Sequence, residues 1–454
     1  MMAYPEFPFA REKANDPLSL YARLRRECPV SKVKLPGSNC AWLLTRHEEI
    51  RVALSSAKLS ADPRTPGYPE IHRHDREAAT NTKPTLVTLN GSEHARLRKA
   101  VDAEFTPGAI NEQRILIHGV VDNALDAINR RYVEQGQPFD LIEEFTAPVP
   151  MQIICKIVGV PVSDIVWLSQ DTALGTDHPR DVAEDEKRLL VQYVRRLVDS
   201  RISREDLSDW EDGQGQGEDW NKKQCESKEE TEFKDQGGEC VRVHEGLISK
   251  LVRHQYETGN LSRDEIVQLV YVILTAGNAA LINSLGLAVL TLFENQDELH
   301  KVRRNPLAFA PSLAAECLRY NTASAFDCRR AATDDFTLAG TKIMKGDGVI
   351  CAVQSADRDE RATHRPDVFD LHRKYPAQDL LGFGYGAHRC LGEHLARTEL
   401  EIALGTLFAR FPGLKLHGDA EGLEFTAPKE NMGVLRLPVF VDPNVQFHRI
   451  IMPD

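Results

Sequence analysis

The stretch FGYGAHRCLG, Phe383 to Gly392, decides how this 454-residue chain is read. It sets one cysteine, Cys390, in a loop shaped by Gly384, Gly386 and Gly392, directly before a segment of helical character. From Glu393 to Phe411, Leu395, Ala396, Leu400, Ala403, Leu404, Leu407, Phe408 and Phe411 recur at helical spacing, and Pro412-Gly413 then stops the helix. A helix N-terminus offers free N–H donors and partial positive charge, both of which favour a thiolate over a thiol. Gly384 and Gly386 permit backbone angles closed to other residues, and Gly392 leaves room for a flat ligand. A lone cysteine is more often a small buried hydrophobe. This one is framed by a loop that predicts a wrapped ligand with sulfur presented to it.

At these residues the chain resembles the cytochrome P450 superfamily, whose heme signature reads Phe, Gly, any, Gly, any, His or Arg, any, Cys, any, Gly. All six defined positions are filled here. The resemblance implies a heme b ligated by Cys390, with Phe383, Gly277 and Gly392 against the macrocycle. It also implies Glu316-Cys317-Leu318-Arg319 as the Glu-x-x-Arg of a bracing helix, and Arg373, in PDVFDLHR (Pro366 to Arg373), as its lock. By itself an i, i+3 Glu/Arg pair is more often a solvated helix face. Two heme propionates need charge-assisted donors, and the resemblance assigns them His94 and Arg98 of HARLR, with Arg330 and His388. The implied fold is mainly α with small β-sheets (α+β): the cytochrome P450 fold, a triangular helical prism around a buried heme. The likeness runs from Phe7 to Phe440 apart from one insertion.

Composition agrees with a single heme domain over 1–454. Hydrophobic residues make up 42%, enough for a large core, and the absence of a basic excess excludes nucleic acid as a partner. Nine cysteines without paired spacing predict a reducing, cytoplasmic setting, with a mitochondrial one left open. The opening MMAYPEFPFAREKAND has no apolar run suited to a membrane anchor. The net charge of −12 is concentrated in residues 205–239, where 13 acidic residues face 4 lysines. That stretch reads as an acidic, disordered insertion, with retained intron sequence and an acidic docking segment as alternatives.

Helices are predicted at 16–27, 46–56, 92–104, 109–134, 141–158, 183–204, 246–257, 262–294, 296–304, 309–320 and 392–411. Strands are predicted at 30–34, 41–45, 337–341, 348–352, 423–427 and 434–440. Ile266 to Phe293 carries no charge over 28 residues and so passes for a membrane span. The capping box Ser262-Arg263-Asp264-Glu265 and the polar Asn278 and Asn283 favour a helix buried in a protein core.

In heme-thiolate monooxygenases an acid followed by Thr in the central helix delivers protons to bound dioxygen. Here the helix reads Ala276-Gly277-Asn278-Ala279-Ala280, with alanine at both relay positions. Ala-Gly-Asn, together with Asn321-Thr322-Ala323-Ser324-Ala325, PVSKVKL (Pro29 to Leu35), FTAPVPMQII (Phe145 to Ile154) and KYPAQDLLGFGYG (Lys374 to Gly386), is similar to the fungal nitric oxide reductases of the superfamily. The resemblance implies two nitric oxide molecules reduced by NADH or NADPH to nitrous oxide and water, without a redox partner protein. It places Asn278 in the distal pocket and has Ser324 hold a proton-donating water.

Departures fall on that group's special equipment. Cations expected for the dinucleotide are replaced by Ala61, Pro63 and Gly175, with Arg64, His72, Arg73 and His178 as nearby candidates. Ala280 stands for a Thr, and Asn431, beside Glu430, for a proton-relaying Asp; an amide cannot ionise. Two alternatives stay open. One is a diverged monooxygenase or oxidase acting on a small organic metabolite, with a redox partner or peroxide and a basic surface around Arg96, Lys99 and Arg389. The other is a heme sensor without turnover.

Overall fold

The computed structural model describes residues 4–10, 19–36, 39–71, 83–161, 163–165, 180–202, 245–324, 328–428, 431–442 and 445. Helices are α1 (Ser19–Glu27), α2 (His47–Ser55), α3 (Gly91–Val101), α4 (Pro107–Glu112), α5 (Arg114–Ile128), α6 (Pro148–Val158) and α7 (Arg180–Asp199). They continue with α8 (Leu247–Leu251), α9 (Arg263–Ala276), α10 (Asn278–Glu294), α11 (Gln296–Arg304), α12 (Pro306–Asn321), α13 (Val353–Ala356) and α14 (Glu393–Arg410). Strands are β1 (Val30–Lys34), β2 (Cys40–Leu44), β3 (Leu59–Ser60), β4 (Phe139–Asp140), β5 (Arg329–Ala332), β6 (Phe336–Leu338), β7 (Thr341–Ile343), β8 (Gly348–Cys351), β9 (Leu414–Leu416) and β10 (Pro438–Val441). Helix dominates and the sheets are small, as the sequence pattern predicts.

The chain forms two compact units. The larger comprises Met1–Ile154, Thr172–Thr176 and Val272–Asp454. Its main sheet has the order β1-β2-β8-β5-β3, with β8 parallel to β2 and antiparallel to β5. All four residues of β8 are buried, which is why this central strand reads as an apolar run. Pairing Arg330 with Val349 sets the register of β5. The core on this sheet gathers Ile50, Leu54, Val349, Cys351 and Leu381, and Tyr385 packs against it. The cysteine loop therefore rests on a rigid floor. α14 packs against α12, α5 and α10, which fixes the loop from the other end.

Several predicted elements are corrected by turn chemistry. The strand at 337–341 is a hairpin, β6 and β7, turning at Ala339 and Gly340, both at positive φ. The strand at 423–427 reduces to one bridge, Phe425 to Val434. β10 pairs instead with β4 and β9, each too short to show a period of two. Helix 109–134 divides after Glu112, its start set by Pro107 and by Thr106 Oγ1 accepting from Ala109 N at 3.3 Å.

The smaller unit comprises Cys155–Asp171 and Asp177–Tyr271. Within it, ion pairs Arg195–Asp264 (2.8 Å) and Arg263–Asp199 tie α7 to the start of α9. The Gly246 and Gly159 backbones touch; a Cβ on Gly246 would lie 2.6 Å from Gly159 Cα. The capping box forms as predicted: Ser262 N donates to Glu265 Oε2 at 2.8 Å, and Glu265 N to Ser262 Oγ at 3.3 Å. Over Arg263–Glu294 the most apolar stretch has a mean hydropathy of 1.7 and is 61% buried, the pattern of a core helix. The acidic segment 205–239 lies outside the described residues.

Candidate active site

Two 3₁₀ turns, Leu381–Phe383 and Gly386–His388, shape the loop. Gly384 and Gly386 have φ of 72° and 71°, the left-handed region that favours glycine. At Gly386 a Cβ would also lie 2.8 Å from Leu54 O of α2. Cys390 N donates to Phe383 O (2.8 Å), Gly384 N to Leu381 O (2.8 Å), and Arg98 Nη1 to Arg389 O (2.6 Å). Glu393 closes the N-terminus of α14 by pairing with both Arg389 (2.7 Å) and Arg397 (3.0 Å), and Arg397 also lies over the Phe383 ring. Such acidic charge suits the positive end of the helix.

Cys390 is exposed as a residue, but protein atoms surround its thiol. Burial pushes the thiol up, opposed by the Gly392 N–H and by the charges of Arg98 and Arg389. The favourable helix end expected from sequence is present, but burial outweighs it in the protein alone. A bound metal ion deprotonates a coordinating thiol outright.

His94, Arg98, Arg330 and His388 converge beside the loop. The two imidazoles lie 4.3 Å apart, and both are pushed toward the neutral form, chiefly by burial and then by the arginines; for His388 the fall is to about 4. Arg98 pairs with Asp102 at 2.5 Å. Arg330 is buried and donates to Arg329 O (2.7 Å), with no carboxylate partner among the described residues. Of the four, Arg330 is the cation with no acid beside it among the described residues, and a buried cation of this kind is complementary to an anion.

The central helix breaks at Gly277, between α9 and α10. Ala276 and Gly277 are exposed there, and a Cβ on Gly277 or on Gly392 would meet no atom within 4 Å. Asn278 departs from its expected place. Its side chain is 3% exposed and its Nδ2 donates to Leu274 O at 2.8 Å, so the amide satisfies its own helix at the break rather than facing the open side. Ala279 and Ala280 are partly buried, and Ala280 O accepts from Ser284 Oγ at 2.7 Å.

The segments that carry Ser324 and Asn431 adjoin. Met432 N donates to Ala323 O at 2.9 Å, which sets the segments carrying the two residues side by side. Arg64 is bound by both oxygens of Asp62 (2.6 to 3.1 Å), and Ala61 is buried. Gly175, His72, Arg73, His178, Glu430 and Ala325 lie outside the described residues.

The bracing triad forms as implied. Glu316 accepts from Arg319 Nε and Nη2 (both 2.8 Å), from Arg373 Nε (3.0 Å) and from Asp370 N (3.0 Å). From the sequence Asp357 has no role, and Thr322 and Asn283 stand out only as members of a resembling stretch and as helix polarity. Asn283 lies against Gly433, where a Cβ would fall 2.0 Å from its Oδ1. No periodic or spacing signal marks any of the three.

The residues fit a heme. One thiol stands at a helix start, two glycines leave open backbone, and a group of two arginines and two histidines suits paired carboxylates.

A family model described as Cytochrome P450 matches residues 223–438. Cytochrome P450 55A3 of Fusarium lichenicola is 34% identical over 438 residues, covering 96% of this chain and 97% of that protein. Pentalenic acid synthase of Streptomyces avermitilis is 31% identical over 434 residues, covering 95% and 96%. A 20-oxo-5-O-mycaminosyltylactone 23-monooxygenase of Streptomyces fradiae is 29% identical over 435 residues, covering 95% and 91%. Among solved structures, GfsF superposes with a TM-score of 0.81 at 28% identity, covering 96% of this chain and all of that one. Cytochrome P450 MoxA from Nonomuraea recticatena gives 0.81 at 28% identity, covering 97% and 99%.

Proposed function

The chain belongs to the cytochrome P450 family and is a heme oxidoreductase acting on small molecules, and from that premise we propose that its reaction is the reduction of nitric oxide. Two nitric oxide molecules, one NADH or NADPH and one proton give nitrous oxide, water and the oxidised nucleotide. In this reading Cys390 ligates the iron, Phe383, Gly277 and Gly392 pack on the macrocycle, and His94, Arg98, Arg330 and His388 hold its propionates. The heme, when bound, supplies the iron that takes nitric oxide and reducing equivalents.

The observation that carries the reading is the distal helix. Ala279 leaves the helix without the acid of the dioxygen relay, and the Nδ2 of Asn278 is committed to Leu274 O. Cleaving dioxygen needs a relay there; reducing nitric oxide does not split that bond. Ser324 and Asn431, on adjoining segments, hold the water through which the proton enters, with a hydroxyl and an amide in place of an acid. The same proposal treats the chain as one catalytic domain with 205–239 inserted, and puts it in a reducing, cytoplasmic compartment.

Rapid mixing of ferric, nitric-oxide-saturated protein with NADH or NADPH tests the activity. Nitrous oxide formation with nucleotide oxidation is expected; neither product appearing would reject it. Cys390→Ser should abolish the thiolate-type carbon monoxide difference spectrum, and an unchanged spectrum would overturn the ligand assignment.

One observation favours a second reading. The nucleotide cations are replaced at Ala61 and Pro63, and Arg64 is engaged by Asp62. Oxidation of a small organic molecule with electrons from a partner protein fits that loss, and the Streptomyces fradiae relative is named a monooxygenase. Turnover that needs a protein electron donor, with no nitrous oxide, would decide for it.

A further inference from the structure

Asp357 caps the C-terminus of α13 and is fully buried, at 0% exposure. Its carboxylate accepts from Leu381 N (2.8 Å), Gly382 N (2.9 Å) and Thr322 Oγ1 (3.1 Å). Among the described residues no cation pairs with that carboxylate; Arg319 Nη1 donates to the Asp357 backbone oxygen instead, at 3.1 Å. The approach is close, since a Cβ on Gly382 would lie 3.1 Å from both Asp357 Oδ2 and Thr322 Cγ2.

The two donor segments lead to the two sides of the site. Leu381 and Gly382 open the cysteine loop: Leu381 O accepts from Gly384 N, and Phe383 O from Cys390 N, both at 2.8 Å. Thr322 ends α12 in the left-handed region, with φ 38° and ψ 70°, where a β-branched residue is an outlier. It leads directly into Ala323 and Ser324, joined to the Asn431 segment by Met432 N.

We propose that Asp357 is a positioning residue that couples the cysteine loop to the Thr322–Ser324 segment through its carboxylate. This rests on the reading that Cys390 ligates a heme. The coupling has a chemical handle. Leu381 N–H and Gly382 N–H can only donate, so a protonated Asp357 can give its hydrogen only to Thr322 Oγ1 among its three partners. The Thr322 hydroxyl then turns to Leu318 O or Arg319 O, each already 3.1 Å away. A single hydroxyl proton serves one acceptor at a time, so ionisation of Asp357 decides whether the Thr322 proton goes to the carboxylate or back to its own helix, while the Asp357–Thr322 contact persists with its direction reversed.

Burial pushes Asp357 up to about 7, opposed by its hydrogen bonds and by the Arg319 charge. The toggle therefore works near neutrality. The charged and titratable groups around it are accounted for. Arg319 pairs with Glu316, and Arg358 donates to Tyr320 O and Asp367. Asp359 accepts from His47 N, and the Tyr375 phenol is pushed up by burial first and by Asp357 next.

The test uses heme-loaded protein, with the iron midpoint potential followed from pH 6 to 8 in wild type, Asp357→Asn and Thr322→Val. A buried negative charge favours ferric over ferrous iron, so Asp357→Asn should be more positive than wild type at pH 8 and converge with it at pH 6. Thr322→Val removes the charge-assisted donor to the ionised form together with the weaker neutral acceptor of the protonated form; the charge-assisted bond is the stronger of the two, so the midpoint of the pH profile should move to higher pH. A profile of Asp357→Asn superimposable on wild type, or an unmoved midpoint in Thr322→Val, overturns the proposal. If Asp357→Asn does not retain heme, the Thr322→Val midpoint decides alone. Wild type without a thiolate-type carbon monoxide spectrum would instead defeat the heme reading.

Discussion

Replacing Glu399 with Met should stabilise the protein, and by more as pH rises. Glu399 lies on α14, 2% exposed, and its Oε2 is buried without a hydrogen-bond partner among the described residues. Burial holds the carboxyl well above its ordinary 4.5. Leaving a polar group unsatisfied in a core costs about 1–3 kcal/mol, and this part of the gain is independent of pH. The remainder follows from proton linkage. Below pH 4.5 the folded and unfolded chains are both protonated at this site. Above it the unfolded chain ionises while the folded one does not. The folded state then binds more protons, and stability falls by about 1.4 kcal/mol per pH unit until the buried group itself ionises. Met has similar length, keeps helix propensity and carries no titration. Urea unfolding of the heme-loaded protein at pH 5 and pH 7.5 measures the difference. The midpoint of Glu399→Met should exceed wild type at both, with a wider gap at pH 7.5. An equal gap would refute the linkage, and a lower midpoint at both values would mean that the carboxyl has a stabilising partner.

Removing the acid of the bracing triad should act in the opposite direction. Glu316→Ala leaves Arg319, 1% exposed, and Arg373 without their carboxylate; a loss of about 3–5 kcal/mol in urea unfolding is expected, and less than about 1 kcal/mol would show that the triad is not a support. Gly386→Ala forces a left-handed alanine against Leu54 O. About 1–3 kcal/mol of strain in the cysteine loop should lower heme content on purification, and full heme occupancy would contradict the role given to that glycine. Asn431→Asp restores an ionisable group beside the Ser324 segment. It should accelerate nitrous oxide formation if proton entry limits turnover, and an unchanged rate would remove Asn431 from the path.

The legible parts share one property: their signal is contained in a short window. FGYGAHRCLG encodes a loop because Gly384 and Gly386 are needed where φ is positive. Ser262 and Glu265 encode a helix start because their bonds span three residues. Glu316, Arg319 and Arg373 were found through resemblance, and their geometry agrees. The short strands β3, β4, β5 and β9 left no trace, since a pairing of two to four residues depends on the partner strand and not on local pattern. Asn278 misled for a related reason. The resemblance placed it in the distal pocket, whereas its Nδ2 donates to Leu274 O beside the break at Gly277.

The sequence by itself determined the superfamily, the thiolate ligand it implies, and an alanine-lined distal helix, because those features are single residues in fixed local order. Tertiary structure alone decided which polar groups remain available. Folding buries Asp357 between Thr322 and the opening of the cysteine loop, partners 24 to 35 residues away in the chain. Burial and hydrogen-bond partners are properties of the whole packing, and they set whether a given side chain is a charge, a brace or a switch.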